Sequence, residues 1–228
     1  LEDSDLELPE NFGNEVSLFP LPEVVLFPGV VQAFHIFEPR YKQMTRDSLE
    51  TDRLIALAML QPEPPSLSSP VSQMICIGKI IADVRLSDGR YNLLVGGVSR
   101  ARIEEEVCTD KLYRRARVSI PLETNPESSR FVEMRAEITD IFQQLIEDRG
   151  HQHDEIKESI LRPDLNFSRF LDLIAFLSDA PAERKQRVLE TVDLEQRGVE
   201  VLRMLHLLQQ SIQVTPTMLD FPPGFSLN

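Results

Sequence analysis

An α+β fold, with its strands first and its helices second, is predicted by three features of the sequence. Apolar residues alternate with a period of two up to Pro121 and follow a period of about 3.6 beyond it, which puts a boundary near residue 122. Asp88-Gly89 stands between two alternating apolar runs, a hairpin signal because Gly tolerates the positive φ of a tight turn. The second half carries apolar stripes separated by helix start and stop signals.

Residues 1–15 hold six acids and no base, with Pro9 and Gly13 and no apolar period, and are expected to form a mobile acidic arm. Strands are predicted over 16–21, 30–34, 54–60, 74–86, 91–98, 101–107 and 113–120. One helix interrupts them. Phe37, Tyr41, Met44 and Leu49 follow helical spacing, and Pro39 suits a first turn, where its missing N–H costs nothing. Residues 61–72 include four prolines and four serines and read as a surface loop. The β-rich unit so defined spans 16–122.

The helical unit, 123–213, begins with Asn125 as N-cap and Pro126 at the first turn. Phe131, Met134, Ile138, Ile141 and Leu145 then form one stripe that ends near Gly150. A second helix centres on Phe167, Phe170, Leu171, Ile174 and Leu177. Asp179 and Pro181 open a third with Val188 and Leu189. Asp193 caps a fourth, whose stripe of Leu194, Val201, Leu205, Leu208 and Ile212 stops before Pro216. Residues 214–228, rich in Pro and Phe, are expected to be a loosely docked tail.

A chain of 228 residues that is 42% apolar builds a core without metals or disulfides. Cys76 and Cys108 stand singly with no ligand spacing, which fits reduced thiols in a cytoplasmic protein. No apolar run approaches the roughly 18 residues of a membrane span, and the acidic start lacks the form of a secretory signal. The net charge of −13 is uneven: residues 16–122 carry 13 bases and 12 acids, residues 123–228 carry 11 and 19. Such a surface opposes nucleic acid, whose affinity rests on neutralising phosphates. Arg100, Arg102, Lys111, Arg114, Arg115 and Arg117 are interleaved with Glu104, Glu105, Glu106 and Asp110 and read as a solvated face of paired charges.

Three spaced motifs then point to a family. Leu18-Phe19-Pro20-Leu21-Pro22, Val24-Val25-Leu26-Phe27-Pro28-Gly29 and Ile36-Phe37-Glu38-Pro39-Arg40-Tyr41 resemble the opening signature of the amino-terminal, substrate-binding domain of Lon proteases. Ile77-Gly78-Lys79-Ile80, Asp88 to Leu94 and Gly97 to Ile103 are similar to that family's central hairpin, and Tyr113 to Val118 to its closing strand. The helical half matches more loosely, so the likeness spans about 16–210. The resemblance implies a PUA-like β pseudo-barrel followed by a C-terminal α-helical bundle, in a stand-alone bacterial form. It also implies a role in engaging unfolded polypeptide. Adaptor or regulator docking on a separate Lon protease is the alternative, and RNA binding, known among PUA-like barrels, is opposed by the acidic balance.

Pro20, Pro28 and Gly29, with Gly89 and Gly97, read as backbone architecture, and Glu38 and Arg40 as either a local ion pair or backbone hydrogen-bond partners at the helix entry. No G-x-x-x-x-G-K-[ST] occurs among the nine glycines, and Gly96-Gly97 is too short to cradle phosphate. No cofactor is expected. His151, His153 and Asp154 have only generic spacing for a metal, and His35 and His206 read as core-edge or surface histidines. The adjacent acids Glu104 to Glu106 and Glu147-Asp148 do not converge as catalytic pairs. No catalytic residue is therefore assigned. The expected activity is polypeptide binding by apolar surface where the barrel meets the bundle, through Phe19, Phe27, Phe34, Phe37 and Tyr41.

Overall fold

A computed structural model describes residues 6–61, 69–124, 130–148 and 165–214. Six strands, β1 (Glu15–Leu21), β2 (Val31–Ile36), β3 (Leu54–Met59), β4 (Met74–Arg85), β5 (Tyr91–Val107) and β6 (Arg115–Ser119), form one sheet in the order β2-β5-β4-β3-β1-β6. The two strands expected over 91–98 and 101–107 are one continuous strand, β5. Its length explains the closure of the sheet. One edge of β5 pairs with β4 over Tyr91–Arg102; the other pairs with β2 over Tyr91–Gly96 and with β6 over Arg102–Val107. Strands β1, β3, β4, β5 and β6 thus close into a ring, and β2 lies outside it, paired only to β5 among the described residues.

The ring interior takes side chains from all five of its strands. Leu18, Ala56, Ala58, Ile75, Ile77, Ala101, Ala116 and Val118 fill it, and the small residues suit the narrow bore. The opposite faces of β1, β3 and β4 are buried too, so β3 reads Leu-Ile-Ala-Leu-Ala-Met with no alternation. These faces meet α1 (Pro39–Leu49) and the helices α2 (Arg130–Asp148), α3 (Phe167–Leu177), α4 (Ala182–Glu190) and α5 (Leu194–Val214). A single core runs from Phe19, Leu57 and Cys76 in the strands to Phe170, Ile174 and Leu205 in the helices. The period change near residue 122 therefore marks a change of secondary structure within a shared core.

Local signals account for the element ends. Asn166 caps α3 by accepting a hydrogen bond from the Arg169 N–H (2.8 Å), and Asp193 accepts one from the Gln196 N–H (2.9 Å) at the start of α5. The Asp88-Gly89 turn forms with Gly89 at φ 80°, closed by the Leu86 N–H donating to the Arg90 carbonyl (2.8 Å). The base of the 61–72 loop is zipped, with the Gln61 N–H on the Pro70 carbonyl and the Ser72 N–H on the Met59 carbonyl, both at 2.9 Å. Residues 6–14, expected within a mobile arm, lie on the sheet. Leu6 is buried, and Leu8 and Phe12 pack on the ring cluster, because this acidic stretch still spaces apolar side chains along its length. The expectations for Asn125, Pro126, Gly150, Pro216 and the tail fall outside the described residues.

Candidate functional site

The five aromatics read as a binding surface separate into two groups. Phe19, Phe27 and Tyr41 are core, exposed by 3%, 0% and 4%. Phe19 lies edge-on to Tyr41, with centroids 4.6 Å apart, and the Tyr41 hydroxyl donates to the Pro20 carbonyl (2.9 Å). Together they fix α1 to β1. Burial pushes the Tyr41 hydroxyl above its usual range, against the opposing charge of Arg40. The Leu26-Phe27-Pro28 segment runs so close to β5 that a methyl group on Gly97 would overlap the Phe27 carbonyl, and the Gly29 N–H donates to the Gly97 carbonyl (2.8 Å) with Gly29 at φ 79°. Arg40 pairs with Glu38 (2.8 Å) and lies 4.5 Å from the Tyr41 ring centroid, holding the helix entry. These motif residues serve backbone geometry and packing. As surface ligand contacts, Phe19, Phe27 and Tyr41 do not fit this burial, because β1, the segment before Gly29 and α1 each turn them into the core, where a large apolar side chain gains more than in solvent.

Phe37 and Phe34 behave differently. Phe37 is 60% exposed, and Phe34 is half-buried with its ring 5.5 Å from that of Phe19. Beside them, the outer face of β2, β5 and β4 is apolar where it meets solvent. Register sets Ala33 opposite Leu94 and Leu94 opposite Ala82, while the next row is His35, Asn92 and Val84. Leu94 is 42% and Val84 58% exposed. These residues line an open groove of about 400 Å³. Its polar edge is ordered: His35 Nδ1 lies 2.7 Å from Asn92 Oδ1, and Nε2 lies 3.2 Å from Arg90 Nη1. That arrangement suits a neutral ring donating from Nδ1 and accepting at Nε2. Phe37 stacks over His35 at 6.2 Å. Leu6 closes the far end of this face, against Gly96 and near Ile81.

Sequence reading assigned Leu94 and Val84 to strands without a side. For Leu94 a signal lies in the pair Leu93-Leu94, since two adjacent apolar residues on a strand take opposite faces.

The junction of barrel and bundle, expected to offer apolar surface for binding, is closed by the shared apolar core and carries a buried charge network beside it. Arg100, exposed by only 5%, reaches across to Asp172 on α3, with Nη1 to Oδ2 at 2.8 Å and Nη2 to Oδ1 at 2.5 Å, while its Nε donates to the Leu189 carbonyl (3.0 Å). Arg197, fully buried on α5, donates to Glu123 (2.7 Å), to the Ser168 hydroxyl (2.9 Å) and to the Thr191 carbonyl (2.7 Å). Two cations and two carboxylates balance within the cluster, which borders a polar cleft of about 220 Å³. Arg100 thus leaves the solvated basic face expected for it. Other members behave as expected: Arg114 pairs with Glu106, Arg117 with Glu105, Arg115 with Glu15, and Lys111 with Asp47.

Burial raises the Glu123 carboxyl, but the Ser168 hydrogen bond and the Arg197 charge outweigh it and hold the group below its usual range. A group whose folded pKa is depressed contributes stability that is fully present above its unfolded value, about 4.3 for Glu, and is lost as pH falls through the folded value. Glu123→Gln is accordingly less stable than wild type at neutral pH, and the gap in melting temperature closes on acidification below about pH 4.3. Parallel melting curves of the two proteins from neutral to acid pH check this; a gap independent of pH refutes it.

Among the described residues, no three His, Cys, Asp or Glu side chains are grouped to hold a metal, and no helix is long and apolar enough to cross a membrane. His151, His153 and Asp154 lie outside the described residues. Cys76 is buried, and burial pushes its thiol far up; Cys108 is exposed.

Comparison with known proteins bears on this geometry. The sequence model of the family described as the ATP-dependent protease La (LON) substrate-binding domain matches residues 15–206. Lon protease 2 of Myxococcus xanthus is 26% identical over 213 residues, which is 90% of this chain and 25% of that protein. Lon protease of Dictyoglomus thermophilum is 24% identical over 93% of this chain and 28% of its own length. The chain thus spans about a quarter of the length of these relatives. In fold, it is similar to the N-terminal domain of a Mycobacterium avium complex Lon protease, with a TM-score of 0.67 at 18% identity, covering 84% of this chain and 98% of that one. A Lon N-terminal domain protein from Xanthomonas campestris gives a TM-score of 0.58 at 19% identity over 89% of this chain and 99% of its own.

Proposed function

The chain belongs to the LON substrate-binding domain family, and from that premise we propose that it is a non-catalytic module that holds unfolded polypeptide in the groove beside Phe37. The observation that carries this reading is the apolar character of an outward sheet face: Ala33, Ala82, Val84 and Leu94 occupy positions where a solvated sheet carries polar side chains. Phe37 at the rim adds a large aromatic surface of the kind that dominates binding hot spots. Three ion pairs stand near the groove, Arg90 with Asp88 (2.6 Å), Arg53 with Asp83 (2.6 Å) and Arg40 with Glu38, while the Arg85 guanidinium lies over the Tyr91 ring at 6.0 Å. Affinity therefore rests on apolar contact and depends weakly on salt.

Fluorescence anisotropy with labelled α-lactalbumin, in its native form and in its reduced, carboxymethylated, permanently unfolded form, tests the proposal at two salt concentrations. Saturable binding of the unfolded form alone is expected. The double variant Phe37→Ser, Leu94→Ser binds it at least roughly tenfold more weakly, the loss of about 1.4 kcal/mol expected for removing two exposed apolar contacts. Because both residues are exposed, the melting temperature of the variant stays near that of wild type. Absence of binding by wild type, or unchanged binding by the double variant, removes the reading.

A further inference from the structure

β2 is an edge that nothing among the described residues pairs. The Gly97 N–H donates to the Val30 carbonyl at 2.8 Å, and Val31 to Ile36 continue that ladder opposite Gly96 to Tyr91. In an antiparallel ladder successive residues alternate between bonding the neighbouring strand and facing away from it. Gln32, Phe34 and Ile36 therefore bond β5, and the main-chain N–H and C=O groups of Val31, Ala33 and His35 point outward. Natural proteins blunt such edges with lysine, proline, inward charges or a covering element. Val-Gln-Ala-Phe-His-Ile has no Lys, Arg, Asp, Glu or Pro. The same strand carries a shielded polar atom, Gln32 Oε1, that accepts no hydrogen bond among the described residues, an arrangement that an added donor would relieve.

We infer that an extended segment of unfolded polypeptide adds to β2 as a further antiparallel or parallel strand, its main chain bonding Val31, Ala33 and His35 and its alternate side chains entering the groove at Ala33, Leu94 and Val84. This deepens the proposed function and rests on it. The groove runs along the outer face immediately beside the free edge, so a strand laid there presents every second side chain to it. Main-chain bonding is independent of sequence, which suits an occupant defined by being unfolded. The rim suits an occupant of low charge: three of its ion pairs are self-compensated, and Arg85, a further cation beside Val84, lies over the Tyr91 ring.

The test uses a fluorescein-labelled peptide that alternates Leu and Ser, in three forms: unmodified, N-methylated on every Leu, and N-methylated on every Ser. In an extended chain the N–H groups of one parity face one edge, so strand addition uses only one set. With the Leu side chains in the groove, one N-methylated form is expected to bind wild type at least roughly tenfold more weakly than the unmodified peptide, and the other to bind about as well. Equal binding of all three forms, or equal loss from both methylated forms, overturns strand addition. A second arm uses Ala33→Pro, which deletes an outward N–H while leaving the bonds from Gln32 and Phe34 to β5, and proline is tolerated on such edges. It is expected to lose peptide binding to the same extent.

The two levels fail separately. If carboxymethylated α-lactalbumin does not bind wild type, the functional reading fails. If it binds, and weakens with Phe37→Ser, Leu94→Ser while Ala33→Pro and N-methylation leave binding unchanged, apolar capture stands and strand addition falls. Concentration-dependent self-association that Ala33→Pro abolishes, with peptide binding untouched, would assign the edge to a second copy and likewise overturn the inference.

Discussion

Asp172→Ala lowers the stability of the chain by about 3–5 kcal/mol, because it leaves Arg100 buried without its counter-charge. Arg100 donates to both Asp172 oxygens, so truncation removes two charge-assisted bonds. The burial that would otherwise depress the Arg100 guanidinium is offset by Asp172 first and Glu123 after it, and the group is held above its usual range. Arg197 is already pushed down by burial and by the nearby Arg100 charge, and Asp172, 3.8 Å away, is one of the two carboxylates that oppose this. For a chain of this size the loss corresponds to a fall in melting temperature on the order of 10 °C, read by calorimetry. Replacing both partners, Arg100→Leu with Asp172→Leu, recovers most of it, since a buried pair contributes little beyond what matched apolar side chains would. Wild-type stability in Asp172→Ala would show that the network does not join the two halves.

Phe27→Ala is expected to cost about 3–5 kcal/mol, the sum of lost apolar transfer and the cavity left behind. Its side chain is fully buried, and its carbonyl lies where no atom can be added to Gly97, so the neighbouring main chain has little room to collapse into the void. Urea denaturation gives the magnitude. Unfolded-polypeptide binding, measured at a temperature where the variant is still folded, stays close to wild type. Phe27→Ala and the Phe37→Ser, Leu94→Ser pair therefore move opposite observables: the first lowers stability and spares binding, the second lowers binding and spares stability. A binding loss in Phe27→Ala at intact fold would place Phe27 back in the site.

The contrast between Phe27 and Phe37 shows where reading the sequence succeeds and stops. Both are phenylalanines in the motifs that carry the family likeness, each following an apolar residue and within two residues of a proline. One is exposed by 0% and the other by 60%. Local pattern placed the starts of α1 and α5 and the Asp88-Gly89 turn within a residue or two, because caps and turn conformations depend on neighbours along the chain. Of the two local roles open to Glu38 and Arg40, the ion pair is the one that forms, since two residues of separation suffice to bring them together. The groove was only half legible. Phe34 and Phe37 were named, but Ala33, Ala82, Val84 and Leu94 were not, as their significance comes from three strands being set in one register.

By itself the sequence determined the order of elements, the change from strand to helix near residue 122 and the motifs that carry the family likeness. All are properties of short stretches, encoded by hydrophobic period, capping residues and the special backbone needs of Gly and Pro. Tertiary structure alone decided which face of β5 Leu94 takes, that β5 is a single strand closing the ring through β6, and that the junction buries its apolar surface in a shared core with an ion network beside it. Arg100 meets Asp172 across 72 residues and Leu189 across 89. Nothing local distinguishes such an arginine from the solvated ones beside it, because whether a charge is buried depends on what the rest of the chain brings against it.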